Sequence, residues 1–177
     1  MLSVFKQNNK DGNQTFYYAS SGGLYPIDIY LYVKKDRVEG VEQGLYYYSP
    51  STNKLNVVDK KEITESSAYV KNKEIFKSSA ITIYMFYNAD ASMPVYGSDG
   101  YYYAILDAVI MVSTLTQICE TLNLGLCSIG DMNFEVVKEN FHLSKNQIFI
   151  HNIEIGVKPD RMLSDNEVRA AYEKNNK

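Results

Sequence analysis

The stretch "YYYAILDAVIMVSTLTQICETLNLG", residues 101–125, carries apolar side chains on nearly every side of a helical period. Its length and its Ala, Leu and Met content predict a helix rather than a strand, over about residues 101–124. Gly125 stands where a glycine would stop it. A helix apolar all round is a core helix, buried against a sheet and against something else. A second subunit is one candidate for that second partner.

The sheet is readable on both sides of this helix. "IDIYLYVKK" (27–35) alternates Ile27, Ile29, Leu31 and Val33 with Asp28, Tyr30 and Tyr32, the period of a strand with one buried face. "LYYYS" (45–49) and "KLNVV" (54–58) read as a hairpin, with Pro50 and Asn53 supplying the turn. Residues 62–77 carry an uneven helical stripe. "AITIYMFY" (80–87) is a near-continuous run of β-branched and aromatic residues, the pattern of a central strand buried on both faces. After the long helix, "NFEVVKENFHL" offers Asn133 as a helix N-cap, and 146–157 is another strand. A polar helix or tail is expected over 163–177, and a flexible lead-in over 1–15. Strands, core helix, strand: the order predicts an α+β domain over 16–162, with a mixed, mainly antiparallel sheet flanked by helices.

Bulk properties narrow the function. The chain is long enough for one domain that buries about two-thirds of its unfolded surface. A formal charge of −3 gives no electrostatic reason to expect nucleic acid or an anionic membrane as partner. No apolar run is expected to reach the roughly 20 residues that span a bilayer. The start has no basic segment followed by an apolar one, so no secretory signal is read there. Cys119 and Cys127 form no CxxC and have no histidine at ligand spacing, which argues against a disulfide scaffold or a zinc site and makes a reducing cytoplasm the expected location. Sixteen tyrosines and no tryptophan are a bias without an assigned role.

Two loops could carry chemistry. In "SSGGLYP", Ser20, Ser21, Gly22 and Gly23 combine hydroxyls with a backbone that a ligand can approach closely. The same residues also suit a plain turn before a strand. "LGLCSIGDM" (124–132), with Gly125, Ser128 and Gly130, is expected as a second loop of the same kind. The two would lie at opposite ends of a sheet and close on one planar ligand. Lys158 and Arg161 of "GVKPDR" could grip an anion, or could simply be solvated.

Taken together, "SSGGLYP", "IDIYLYV", "VEQGLYYYSPSTNKLNVV", "YGSDGYYYAILDA", "LNLGLCSIGDMN" and "IEIGVKP" resemble the nitroreductase family, and within it the SagB-type thiazoline/oxazoline dehydrogenases. The resemblance runs from about residue 16 to 160 and lacks the family's N-terminal, Arg-rich part. It implies a homodimer with FMN at the subunit interface. Ser20, Ser21, Gly22 and Gly23 would line the pyrimidine side of the flavin ring, and Ser128, Ile129, Gly130 and Asp131 its N5 edge. Lys158 and Arg161 would approach the phosphate. The implied reaction is oxidation of a peptide-derived or carrier-bound azoline to an azole, with a peptide-modifying or nonribosomal assembly complex as partner. The catalytic Lys-Tyr pair of that branch matches Val95-Tyr96 here, so Tyr96 is retained and the lysine is not. An NAD(P)H-dependent nitroreductase or flavin reductase is the alternative, and a cofactor-free structural or partner subunit the third reading. His142 and His151 are not expected as ligands, and Cys127 is expected to be an inert thiol.

Overall fold

The computed structural model describes residues 1–10, 13–69 and 72–158, with residues 164, 166, 167, 169 and 170 beyond them. Most of the tail expected over 163–177 lies outside the described residues.

Six strands form one sheet: β3 (Ile27–Val33), β4 (Gly44–Ser49), β5 (Lys54–Asp59), β6 (Ile81–Asn88), β7 (Leu124–Ile129) and β8 (Gln147–Val157). Their order is β5-β4-β3-β6-β8-β7, and every adjacent pair is antiparallel. The long helix α3 (Asp99–Thr121) crosses one face, preceded by two shorter helices, α1 (Lys73–Ser78) and α2 (Ala89–Tyr96). β3 and β6 sit in the middle, where β-branched and aromatic runs have both faces covered. Tyr30 and Tyr32 are therefore buried, not solvated as strict alternation predicts.

That burial accounts for part of the tyrosine bias. The face under α3 packs Ile29, Leu31, Ile83, Met85, Ile153 and Ile155 against Ala104, Ala108, Met111 and Leu115 of the helix. The other face is aromatic: Tyr30, Tyr84 and Phe86 meet Phe141 at centroid distances of 4.9–5.6 Å. Edge-to-face and tilted rings of this kind fill a layer that, among the described residues, no helix of comparable length covers.

Several expectations need correction. Residues 1–15 are not a free lead-in: Leu2–Phe5 form a short turn, Phe5 is buried against Tyr18, and β1 (Asn8–Lys10) pairs with β2 (Asn13–Thr15). The stripe over 62–77 resolves into a turn at Glu65–Ser67 and the short α1. Asn133 caps no α-helix; Phe134–Val136 and Lys138–Phe141 are 3-10 turns. Residues 124–129 form strand β7, not a loop. Helix α3 stops at Thr121, and the left-handed residue behind it is Asn123 (φ 55°), an amide tolerated there where Gly125 was expected. Nor is α3 enclosed: Tyr102, Leu106 and Val109 are exposed. By length and composition α3 is also apolar enough to cross a membrane, contrary to the sequence expectation, although here it lies across a sheet.

One polar cluster is sealed into the far end of the sheet. Lys34, just beyond β3, is 8 % exposed and Glu154 on β8 is 3 % exposed. Lys34 Nζ donates to Glu154 Oε2 (2.9 Å) and to Thr82 Oγ1 (3.2 Å), and it lies 4.0 Å from the centre of the Phe76 ring. Ser79 bonds both partners. Burial pushes the lysine down and the carboxyl up from their ordinary ranges, so each relies on the other to stay charged. The K34M variant should lose about 3–5 kcal/mol in urea unfolding, because it strands a buried carboxylate. The double variant K34M/E154L is expected to regain most of that loss.

Candidate functional site

Asp107 is the only charged side chain between Gly100 and Cys119, and it is 1 % exposed. A buried carboxylate needs donors, and the serine loop supplies them. Ser20 Oγ donates to Asp107 Oδ2 (2.6 Å), while Ser21 donates from its backbone N–H to Oδ1 (3.0 Å) and Oδ2 (3.2 Å) and from Oγ to Oδ1 (3.0 Å). Ser20 Oγ in turn accepts the backbone N–H of Tyr25 (2.8 Å). The hydroxyls expected to meet a ligand are thus turned inward, onto the helix.

The glycines finish the turn. Gly22 (φ 63°) and Gly23 (φ 66°) are both left-handed, a conformation costly for other residues. A side chain on Gly22 would sit 2.3 Å from Tyr96 Oη, whereas Gly23 has no atom within 4 Å of that position. The structure therefore brings Tyr96 to the loop. Its hydroxyl lies over Gly22 and its ring packs edge-on against Tyr103, 4.9 Å away.

The second stretch stands elsewhere. On β7, Leu124, Leu126 and Ser128 share the face toward α3, while Ile129 is buried on the opposite face. Gly130 and Asp131 follow the strand and are exposed. Because the strands are antiparallel, the start of β3 and the end of β7 open at the same end of the sheet, not at opposite ends. They are separated sideways. Asp107 holds the serine loop on one flank of α3, while Ser128 faces the other flank, across from Tyr101, Ile105, Val109 and Val112.

Between that other flank and the β7–β8 edge runs an open cleft of about 520 Å³, also lined by Ala108, Ser113, Ile150 and His151. Its walls are mostly apolar, with the hydroxyl residues Tyr101 and Ser113 on the helix and one hydrogen-bonded pair on the sheet, where Ser128 Oγ lies 2.6 Å from His151 Nε2. Burial lowers the His151 pKa below its ordinary value of 6.5, which keeps the ring neutral at pH 7. At the far end of the same edge, Lys158 forms an ion pair with Glu120 on the last turn of α3. Arg161 lies outside the described residues. Cys127 faces away from the cleft, and burial raises its pKa, as an unreactive thiol requires.

Sequence reasoning missed Asp107 and His151. A lone charge inside an apolar helix was the available signal for Asp107. For His151 it was the period of two shared with Ile153 and Ile155, which places its ring under α3.

This six-stranded antiparallel α+β fold, with a long helix flanked by a cleft, defines the class, and comparison with known proteins gives the family. The sequence model of the nitroreductase family matches residues 13–153, and the chain belongs to that family. A candidate nitroreductase of Methanocaldococcus jannaschii is 27% identical over 121 residues, which is 68% of this chain but 60% of that protein. The E. coli microcin synthetase McbBCD complex, solved with truncated pro-MccB17 bound, contains a chain of the same fold (TM-score 0.72, 16% identity). That match covers 90% of this chain and 62% of the other. An FMN-dependent nitroreductase from Clostridium difficile aligns over 97% of this chain and 91% of its own, with a TM-score of 0.53 and 16% identity. The chain thus spans about three-fifths of the length of the archaeal relative and of the microcin synthetase subunit it matches.

Two outcomes follow from this geometry. Gly22→Ala should cost more than the roughly 1–2 kcal/mol of a left-handed alanine, because the new methyl meets Tyr96 Oη. Combined with Tyr96→Phe, the cost in thermal or urea unfolding should fall back toward that value. The second concerns pH. Folded His151 holds its proton more weakly than the unfolded chain does, so its stabilising contribution is complete above about pH 6.5 and is lost as pH falls below it. A plot of unfolding free energy against pH should therefore be flatter below 6.5 for H151Q than for the wild type.

Proposed function

We propose that this chain is an FMN-dependent oxidoreductase whose flavin lies in the cleft between α3 and the β7–β8 edge, and that its substrate is a peptide-derived thiazoline or oxazoline. One observation carries the reading: the cleft combines mostly apolar walls with one hydrogen-bonded polar pair on the sheet, Ser128 and His151, and a cation stands beyond its far end. Apolar walls suit a flat ring, and hydrogen-bonding groups on one side suit its polar edge. Lys158 suits the phosphate. From Val112 to Glu120 the helix rises about 12 Å, room for the sugar-alcohol chain between ring and phosphate.

Bound FMN would supply a two-electron hydride acceptor, and the protein supplies the rest. Ser128 would present a hydroxyl to the ring edge, the apolar side chains of α3 would wall the ring, and Lys158 would leave the Glu120 carboxylate for the phosphate. The exposed apolar side of α3, with Tyr102, Leu106 and Val109, supports a homodimer in which a second copy covers the site. The likeness to a chain of the microcin synthetase complex, solved with a peptide bound, supports a peptide substrate and a peptide-modifying assembly.

A second reading, an NAD(P)H-dependent nitroreductase, is favoured by Val95, an exposed apolar residue where the azoline dehydrogenases carry a lysine. Turnover separates the two: a thiazoline peptide should be oxidised with little response to NAD(P)H, and the opposite pattern assigns the second.

Flavin binding itself is tested by titrating FMN and following quenching of its fluorescence. Lys158→Ala should weaken binding about tenfold or more, the worth of one charge-assisted hydrogen bond. Glu120→Gln should tighten it by freeing the lysine. A protein that takes up no FMN and stays colourless contradicts the reading and points to the cofactor-free partner subunit.

A further inference from the structure

We infer that Ser128 and His151 form the proton-accepting pair of the cleft, taking the acidic ring proton of an azoline at the carbon that bears the peptide carbonyl. The inference deepens the proposed function and rests on its azoline substrate; it adds that the azoline enters the same cleft, beside the flavin ring, and the proton step itself does not need the flavin. Tyr96 is a poor candidate for this role. Its hydroxyl is packed over Gly22 on the other flank of α3, and it lines no part of the cleft.

The geometry of the pair is that of an activated hydroxyl. Ser128 Oγ is 2.6 Å from His151 Nε2, and the serine is exposed while the imidazole is half-buried behind it. A ligand entering the cleft therefore meets the hydroxyl first, with the ring as its proton sink. Burial holds His151 neutral near pH 7, so its nitrogen has a lone pair to offer. Among the described residues no charged side chain lines the cleft, so none of them pre-loads the imidazole with a proton.

The step is a simple proton transfer. The ring C–H bond breaks, and its electron pair stays on the carbon, delocalised into the adjoining carbonyl. The proton reaches Nε2 through Ser128 Oγ, which gives up its own proton as it receives the other. No oxidant is needed, so the step can be observed without turnover.

The test is hydrogen–deuterium exchange at that carbon of 2-methylthiazoline-4-carboxamide in D2O, followed by proton NMR. It uses the whole chain, both free of flavin and with FMN reduced by dithionite. Saturation transfer in the same samples reports whether the azoline binds. Exchange should run about a hundredfold faster than in buffer, within the range of general-base catalysis. It should disappear in H151Q, fall about tenfold in S128A, and be unchanged in H142Q, since His142 is exposed and lines no part of the cleft. Should H151Q fail to fold, the wild-type spectrum serves: the chain has two histidines, and thiazole-4-carboxamide should shift the imidazole resonance that H142Q leaves in place. Three results overturn the inference. Binding with no acceleration, or with acceleration indifferent to His151, removes the pair while the substrate reading stands. A stable covalent adduct on Ser128 makes it a nucleophile instead. No binding in either state removes the substrate reading and the pair together.

Discussion

The buried carboxylate of Asp107 sets the rotation of α3. The C-terminal half of α3 has a polar side, with Thr116, Gln117 and Glu120 exposed, but over its first turns apolar residues face most directions and burial alone is a weak guide to which of them meet the sheet. One charge changes that. Asp107 must find donors, and four hydrogen bonds from Ser20 and Ser21 are the ones the fold offers. With that side pinned, Tyr101, Ile105, Val109 and Val112 are turned toward β7 and β8, and a cleft opens over Ser128 and His151. The remaining side, with Tyr102 and Leu106, is left for solvent or a partner. The loop thus acts on the site at a distance, by orienting the helix that walls it.

The sheet beneath is held by different means on its two faces. Aliphatic side chains mesh with the helix on one, and edge-to-face aromatic rings make a layer on the other. The Lys34–Glu154 pair ties the end of β3 to β8 across β6, through Thr82. A network this deeply buried adds little net stability over apolar packing, but it makes wrong registers costly by leaving a charge unpaired. In an antiparallel sheet that places a histidine at one position and a serine at another, register is what brings them within hydrogen-bond reach.

Elements with a strong local signature were legible in the sequence. β3 and β6 announced themselves by β-branched and aromatic runs, the β4–β5 hairpin by Pro50 and Asn53, and α3 by its length. The failures share a cause. β7 reads "LGLCSI", a loop composition by its glycine and serine, and becomes a strand only because β8 lies beside it. α2 contains Pro94, which obscures a helix that Asn88 caps by accepting the N–H of Asp90. At the site, Ser20 to Gly23 were singled out correctly as an unusual backbone. Their partner, however, is 86 or 87 residues away, and nothing local tells a hydroxyl aimed at a ligand from one aimed at a buried carboxylate. His151 was set aside as an ordinary strand residue, and only the cleft above it gives it a role.

The proposed flavin site is the cleft on the β7–β8 side of α3, with the phosphate toward Lys158. A crystal structure of the protein grown with FMN tests this most directly. The expected result is ring density beside Ser128 and His151, Lys158 swung from Glu120 onto the phosphate, and Asp107 still holding Ser20 and Ser21. Flavin density against Gly22, Gly23 and Tyr96, with the cleft left open, would contradict it.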